Sequence, residues 1–280
     1  MLITGAARGI GAALAERLHS RGARVALAGL EPEHLEAVAE LCGGAPWALC
    51  DVTSREAVEA ATEESVAALG GLDVVVANAG VAAQMPIVGG NPAVMEKTIA
   101  VNLMGAYYTL RAAGPHISHE RGYALPIASV AAAVHLPMLA AYSASKAGVE
   151  ALGNTLRMEL RPYGARVGVG YFAELDTDMT SRGFDTEAAK QMTSGAFERI
   201  SRVAPLEVGI DALEKGIARR SRRIVAPSSS KPLLPLRMLV QRAVDGGTRR
   251  GLRKALETAR GENAPLTTPQ PERETAGAAD

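Results

Sequence analysis

The 280-residue sequence predicts an α/β fold: a doubly wound parallel sheet forming a single main domain, followed by a C-terminal helical extension. Three observations carry this reading. Short apolar runs rich in Val, Ile and Ala recur at 1–3, 24–28, 72–77, 123–128 and 166–171, separated by longer segments of helical spacing. Crossovers of that length imply parallel strands with helices on both faces. A turn containing Gly5, Gly9 and Gly11 lies between the first run and the first helix, next to where such a sheet opens its ligand crevice.

Taken in order, residues 1–3 make a first strand shorter than the usual five or six residues. Ile10, Leu14 and Leu18 recur every fourth residue, a stripe that packs the first helix onto the sheet. Asn91 and Pro92 read as N-cap and first helical residue, predicting a helix through Tyr108. Pro126 falls inside an apolar run, where it costs a ladder hydrogen bond unless a bulge accommodates it; the strand is kept. A last short strand lies in "RRIVAP", and the extension begins near Pro227. The expected organisation is a main domain over 1–226, a basic amphipathic extension over 227–260 interrupted at Gly246 and Gly247, and a disordered polar tail over 261–280.

Apolar content of 48% and charged content of 21% fit a soluble globular chain, and no uncharged apolar run reaches the ~18 residues that span a bilayer. The start, "MLITGAARGIG", lacks the basic and apolar regions of a secretory signal, so a cytoplasmic location is expected. Cys42 and Cys50 are then two free thiols. The zero net charge hides an asymmetry: residues 219–260 hold 12 Lys and Arg against 2 Asp and Glu.

Several chemistries drop out. There is no Gly-Lys-Ser/Thr for phosphoryl transfer and no Gly-x-Ser-x-Gly elbow for an esterase. His116 and His119 could share a helix face but lack a third ligand, so no metal site is assigned. His135 is equally a substrate contact or loop packing. Glycines at the strand-to-helix turn let backbone N–H groups approach a pyrophosphate, which the helix N-terminus also attracts. Tyr142 and Lys146, four apart in "YSASK", lie on one helix face, close enough for an ammonium to act on a phenol.

The order of motifs resembles the short-chain dehydrogenase/reductase family: "TGAARGIG" at 4–11, "CDVT" at 50–53, "NAG" at 78–80, "VN" at 101–102, Ser129, and "YSASK" at 142–146. The register runs through about residue 226. The resemblance implies a Rossmann-type fold and an NAD(P)-dependent oxidoreductase interconverting an alcohol and a carbonyl. Tyr142 would be the acid/base, Lys146 would lower its pKa and hold the nicotinamide ribose, and Ser129 would hydrogen-bond the substrate oxygen. Asn102 would shape its helix and orient a relay water, or merely satisfy a helix kink. Gly5, Arg8, Gly9, Ile10, Gly11, Asn78, Ala79 and Gly80 would line the cofactor, Asp51 and Val52 its adenine, and Thr177 its carboxamide. For Asp51 the plain alternative is a turn former. The family's Pro-Gly after the sixth strand is replaced here by Phe172 and Ala173.

Cofactor choice rests on the end of the second strand. An acidic residue there would bind the ribose of NAD, but Gly29 and Leu30 offer none, while Arg8 could reach a 2′-phosphate, so NADP(H) is favoured over NAD(H). Residues 178–205 are expected to form the substrate lid, whose Met and Phe residues suit an apolar substrate. The resemblance also implies a homodimer or homotetramer. Leu233, Leu234, Leu236, Met238, Leu239 and Val240 beside the basic charge suggest peripheral membrane contact; nucleic-acid binding ranks lower because the stretch lacks aromatic residues. The rival reading is a catalytically silent nucleotide-binding regulator or membrane-surface scaffold on the same fold.

Overall fold

The computed structural model describes residues 1–177, 179, 186–191, 203–248, 251–262 and 266. Strand β1 (Leu2–Thr4) passes through the glycine turn into helix α1 (Gly9–Ser20). Then come β2 (Ala26–Gly29), α2 (Pro32–Leu41), β3 (Trp47–Leu49), α3 (Arg55–Leu69) and β4 (Val74–Ala77). Helix α4 (Pro92–Thr98) runs on through a π-helical turn (Ile99–Met104) into α5 (Gly105–Ala113). The second half holds β5 (Tyr123–Pro126), α6 (Ala140–Glu159), β6 (Arg166–Val167) and β7 (Val169–Phe172). Past these lie α7 (Glu187–Gln191), α8 (Leu206–Ala218) and β8 (Arg223–Ala226).

Six parallel strands form one sheet in the order β3-β2-β1-β4-β5-β6, and β7 pairs parallel with β8. Pro126 explains the seam between them. Gly168 N–H donates to Ala124 O (2.9 Å) and Ala128 N–H to Gly170 O (2.8 Å), but Pro126, midway, has no N–H to give. The proline costs one rung, and the Ile127 to Gly170 bridge carries the pairing on without a bulge.

Alternation along the strands feeds two cores, one on each face. Leu2, Val75 and Ala124 face Val58, Leu110 and Val149 from α3, α5 and α6. Ile3, Val74, Val76, Tyr123 and Leu125 face Leu14, Leu35, Ile210 and Leu213 from α1, α2 and α8. The stripe reading of α1 holds for Leu14 and Leu18, both buried, with Ile10 packed at the margin. Each fully buried aliphatic side chain contributes about 1.5–3 kcal/mol, so this two-sided burial is the main source of stability.

The structure corrects several sequence expectations. Strand β3 is missing from the apolar pattern because it is an edge strand, with Trp47 and Leu49 exposed. Asn91 does cap α4, its side chain accepting from Ala93 N–H (3.0 Å), but the helical run continues to Ala113 rather than Tyr108. In the extension, α9 (Arg237–Gly247) includes both Gly246 and Gly247. The helix ends on that pair, with Thr248 as its C-cap, and Gly251 (φ +79°) then caps the start of α10 (Leu252–Gly261). Most of the lid expected over 178–205, and nearly all of the tail over 261–280, lie outside the described residues. Among the described residues no helix is long and apolar enough to cross a membrane.

Candidate active site

A cleft opens at the carboxyl ends of β1, β2, β4, β5 and β7, where the crossover order places it. The glycine turn forms its floor. Gly5 has φ +64°, and a Cβ there would meet Ala79 Cα at 2.7 Å. A Cβ on Gly11 would sit 2.2 Å from Gly5 O, so α1 approaches the turn as closely as it does only because this residue lacks one. Asn78 ties the turn to β4, its Nδ2 donating to Thr4 O (3.0 Å) and Gly5 O (3.2 Å). Thr4 Oγ1 in turn accepts from the N–H groups of Asn78 and Ala79. Helix α1 has no side-chain cap, so its positive end opens onto the cleft. A phosphate group fits this cradle.

Around it stand the other expected cofactor residues. Arg8, Gly9, Ile10, Asp51, Val52, Ala79, Gly80 and Thr177 all line the same cleft, whereas Gly11 lies just behind it. Asp51 also makes the turn contact of its plain alternative, its Oδ1 accepting from Thr53 N–H (2.9 Å). Val52 lies against Gly105, where a Cβ would come within 2.6 Å of it. Thr177, after β7, stands 3.9 Å from where a Gly9 Cβ would be. Buried Cys50 lines the cleft too, its thiol pushed up to about 12 by burial.

The Arg8 guanidinium is not simply turned to water. It forms an ion pair with Glu31, the first residue beyond Leu30, with Nε donating to Oε2 at 2.8 Å and Nη2 also bonded to Oε1. Both side chains line the cleft. The sequence argument for NADP(H) stopped at Gly29 and Leu30, one residue short of this carboxylate, which pairs with Arg8.

Ser129, Tyr142 and Lys146 converge at the other end. Ser129 Oγ donates to Phe172 O (3.0 Å) and accepts from Ala131 N–H (3.1 Å), and it is also hydrogen-bonded to the Tyr142 hydroxyl. Lys146, buried on the same face of α6, donates to Ile127 O (2.9 Å) and lies 5.6 Å from the centre of the Tyr142 ring. Burial lowers its ammonium to about 8. The phenol departs from the expectation of a depressed pKa: burial raises it, the bond to Ser129 opposes this, and Glu174 adds to the rise.

Asn102 sits in the π-helical turn with its side chain fully engaged. Its Oδ1 accepts from Val81 N–H (2.8 Å), and its Nδ2 donates to Val81 O (2.9 Å) and Ser145 Oγ (3.0 Å). Ser145 Oγ donates to the main-chain oxygen of Tyr142 (2.7 Å). Asn102 therefore couples the turn, the segment after Gly80 and the start of α6, and its amide bonds no backbone group of its own helix, unlike the kink reading.

The histidines lie elsewhere. His116 meets Glu63 (2.9 Å), His119 meets Leu72 O (3.2 Å), and the main chain of His135 is clasped by Gln241. Two cleft carboxylates, Glu31 and Glu174, escaped the sequence reading. Glu174 follows directly on the Phe172-Ala173 departure, which was its only signal.

The short chain dehydrogenase family model matches residues 1–188. A D-threitol dehydrogenase of Mycolicibacterium smegmatis is 38% identical over 59% of this chain and 66% of its own length, leaving a third of that relative uncovered. A trans-4-hydroxycyclohexanecarboxylate dehydrogenase of Sinomonas cyclohexanicum is 35% identical over 65% of this chain and 76% of its own. Among solved structures, a dehydrogenase/reductase from Sinorhizobium meliloti superposes with a TM-score of 0.70 at 28% identity, covering 82% of this chain and 94% of the other. With the family model matching residues 1–188, about two thirds of its length, the chain belongs to the short-chain dehydrogenase family, a family of oxidoreductases.

Proposed function

We propose that the chain is a nicotinamide-dependent oxidoreductase that interconverts an alcohol and a carbonyl, with Tyr142 as its acid/base. The observation that carries this reading is the convergence of Tyr142, Ser129 and Lys146 in one cleft with a glycine turn that has no room for a Cβ at Gly5 or Gly11. When bound, the nicotinamide supplies or accepts the hydride. The residues of this chain handle the proton. In oxidation the Tyr142 oxygen takes the carbinol proton; in reduction it returns that proton to the carbonyl oxygen. Ser129, already bonded to the phenol, holds the same substrate oxygen. Lys146 remains largely protonated near neutrality, and its charge favours the phenolate that burial disfavours. It would also hold the nicotinamide ribose. Asn102 is a positioning residue, with the water-orienting role of the family proposed beside it.

The Arg8–Glu31 pair favours NAD(H). An added 2′-phosphate would meet the Glu31 carboxylate and compete with it for Arg8, whereas ribose hydroxyls can donate to that carboxylate. Val134, Leu136, Leu139, Leu175 and Met179 make the substrate end of the cleft apolar. The homodimer or homotetramer remains part of the proposal, to be checked by mass in solution. Peripheral membrane contact keeps one supporting observation. Met238 and Leu239 are 78% and 63% exposed beside Arg242, although Leu234 and Val240 pack inward.

The test is nicotinamide absorbance with NADH and NADPH over a carbonyl and alcohol panel. Turnover is expected with NADH preferred, and Tyr142→Phe should lower kcat by about 10²–10⁴-fold while nucleotide still binds. Nucleotide binding by the wild type with no turnover across the panel would favour the silent regulator.

A further inference from the structure

Glu174 is an ionisable group in the cleft that the proposed reaction does not use. Its main chain is fixed on both sides: Ala173 N–H donates to Ala226 O (3.0 Å), Ala204 N–H to Glu174 O (2.9 Å), and Asp176 N–H to Ala204 O (2.8 Å). Glu174 lines the cleft from this hydrogen-bonded segment, two residues past Phe172, whose carbonyl holds Ser129. It is near enough to Tyr142 for its charge to oppose the phenolate. Among the described residues no basic group pairs with it. The two basic side chains among the described residues lining the cleft are engaged elsewhere, Arg8 with Glu31 and Lys146 with Ile127 O and the Tyr142 ring.

We propose that Glu174 determines substrate specificity by binding a cationic nitrogen, so that the preferred substrate is an amino alcohol or the corresponding amino ketone. The inference rests on the oxidoreductase reading above and specifies its substrate class. Desolvation by burial raises the Glu174 carboxyl to about 7, an arrangement that disfavours its anion. An ammonium group on the substrate supplies the missing charge. It also cancels the field that Glu174 exerts on Tyr142, so the right substrate makes the phenolate easier to form. A hydroxyl group can hydrogen-bond the carboxylate but leaves its charge in place; a substrate carboxylate adds a second anion. The apolar walls formed by Val134, Leu136, Leu139 and Leu175 then take the carbon frame.

The experiment compares three cyclohexanols that carry an ammonium, a methyl or a carboxylate group across the ring from the carbinol. Their oxidation is followed with the preferred nucleotide at about pH 8, where Glu174 is ionised and the amine protonated. The ammonium compound should exceed the methyl compound by about tenfold or more in kcat/KM, with the carboxylate last. Glu174→Gln should collapse this spread and Glu174→Lys should reverse it, with thermal melts confirming that both variants fold. Turnover of the methyl compound at or above the level of the ammonium compound, with the ranking unchanged in Glu174→Gln, overturns the inference and leaves the oxidoreductase reading standing. If nucleotide binds but no carbinol turns over, the oxidoreductase reading fails by itself. Calorimetric binding of the ammonium and methyl compounds to the nucleotide complex then decides the Glu174 site: tighter ammonium binding that is lost in Glu174→Gln supports it, and equal binding overturns it.

Discussion

Glu174 destabilises the fold that carries it, and this can be measured without any substrate. Burial raises its carboxyl from 4.5 to about 7, so the folded chain holds this proton more tightly than the unfolded chain does. The sign follows: stability is retained below about 4.5 and falls as pH rises through about 7, where the folded protein must keep a desolvated anion. The whole shift would be worth about 3 kcal/mol at 1.36 kcal/mol per unit, but the carboxyl is partly open to solvent, which reduces the expectation to about 1 kcal/mol. Glu174→Gln should therefore be more stable than wild type by about that amount near pH 8, with the gap closing toward pH 4 in urea melts. Equal midpoints at both pH values would show that the site is not desolvated. At this scale the sequence revealed Ser129, Tyr142, Lys146 and the glycines because motif order alone places them. It concealed Glu31 and Glu174 because a lone carboxylate gains meaning only when the fold turns it toward Arg8 or Tyr142.

At the scale of elements, legibility followed burial. Strands β1, β2, β4, β5 and β7 are buried throughout and read as apolar runs, whereas β3, with two of its three residues exposed at the sheet edge, left no such trace. Pro126 looked like an argument against a central strand, yet a parallel ladder lets a proline forfeit one rung while its neighbours keep theirs. The π-helical turn was invisible for a different reason. Nothing in "IAVNLM" demands a wider turn; the reason for it lies outside the helix, in the Val81 main chain that occupies the Asn102 amide. Helix α9 ends on Gly246 and Gly247, where the glycine pair was expected to interrupt it, and Gly251 supplies the positive φ that starts α10. Local propensity set these expectations, and tertiary hydrogen bonding decided them.

On the scale of the whole molecule, the segment after β8 was expected to be an appendage, and its contacts argue otherwise. Leu234 and Val244 are buried in the same core as Val149 and Tyr171. Gln241 exchanges two hydrogen bonds with the main chain of His135, in the loop between Ser129 and Tyr142. Helix α10 packs Ala255 and Ala259 against Met138 and Ala188, and Glu262 accepts from the N–H groups of Glu187 and Ala188 at the start of α7. The extension thus braces the wall of the cleft that the glycine turn does not supply. A charged tie runs through Arg237, whose Nη2 meets Glu150 Oε1 at 2.9 Å; the same oxygen accepts from the Tyr171 hydroxyl at 3.0 Å. The Glu150 side chain is only 14% exposed, so removing the guanidinium strands a carboxylate that water barely reaches. Buried pairs broken from one side cost about 3–5 kcal/mol, and because Arg237 is itself partly exposed the expectation here is about 2 kcal/mol. Arg237→Ala should lower the unfolding free energy by that amount, read as a lower urea midpoint with an unchanged slope, because α9 and the main domain would still unfold together. Arg237→Lys should recover part of the loss. A midpoint unmoved by Arg237→Ala, or a separate early transition, would mean that the extension folds as the detachable piece its composition suggested, and its basic charge would then have to be explained by something other than the cleft it borders.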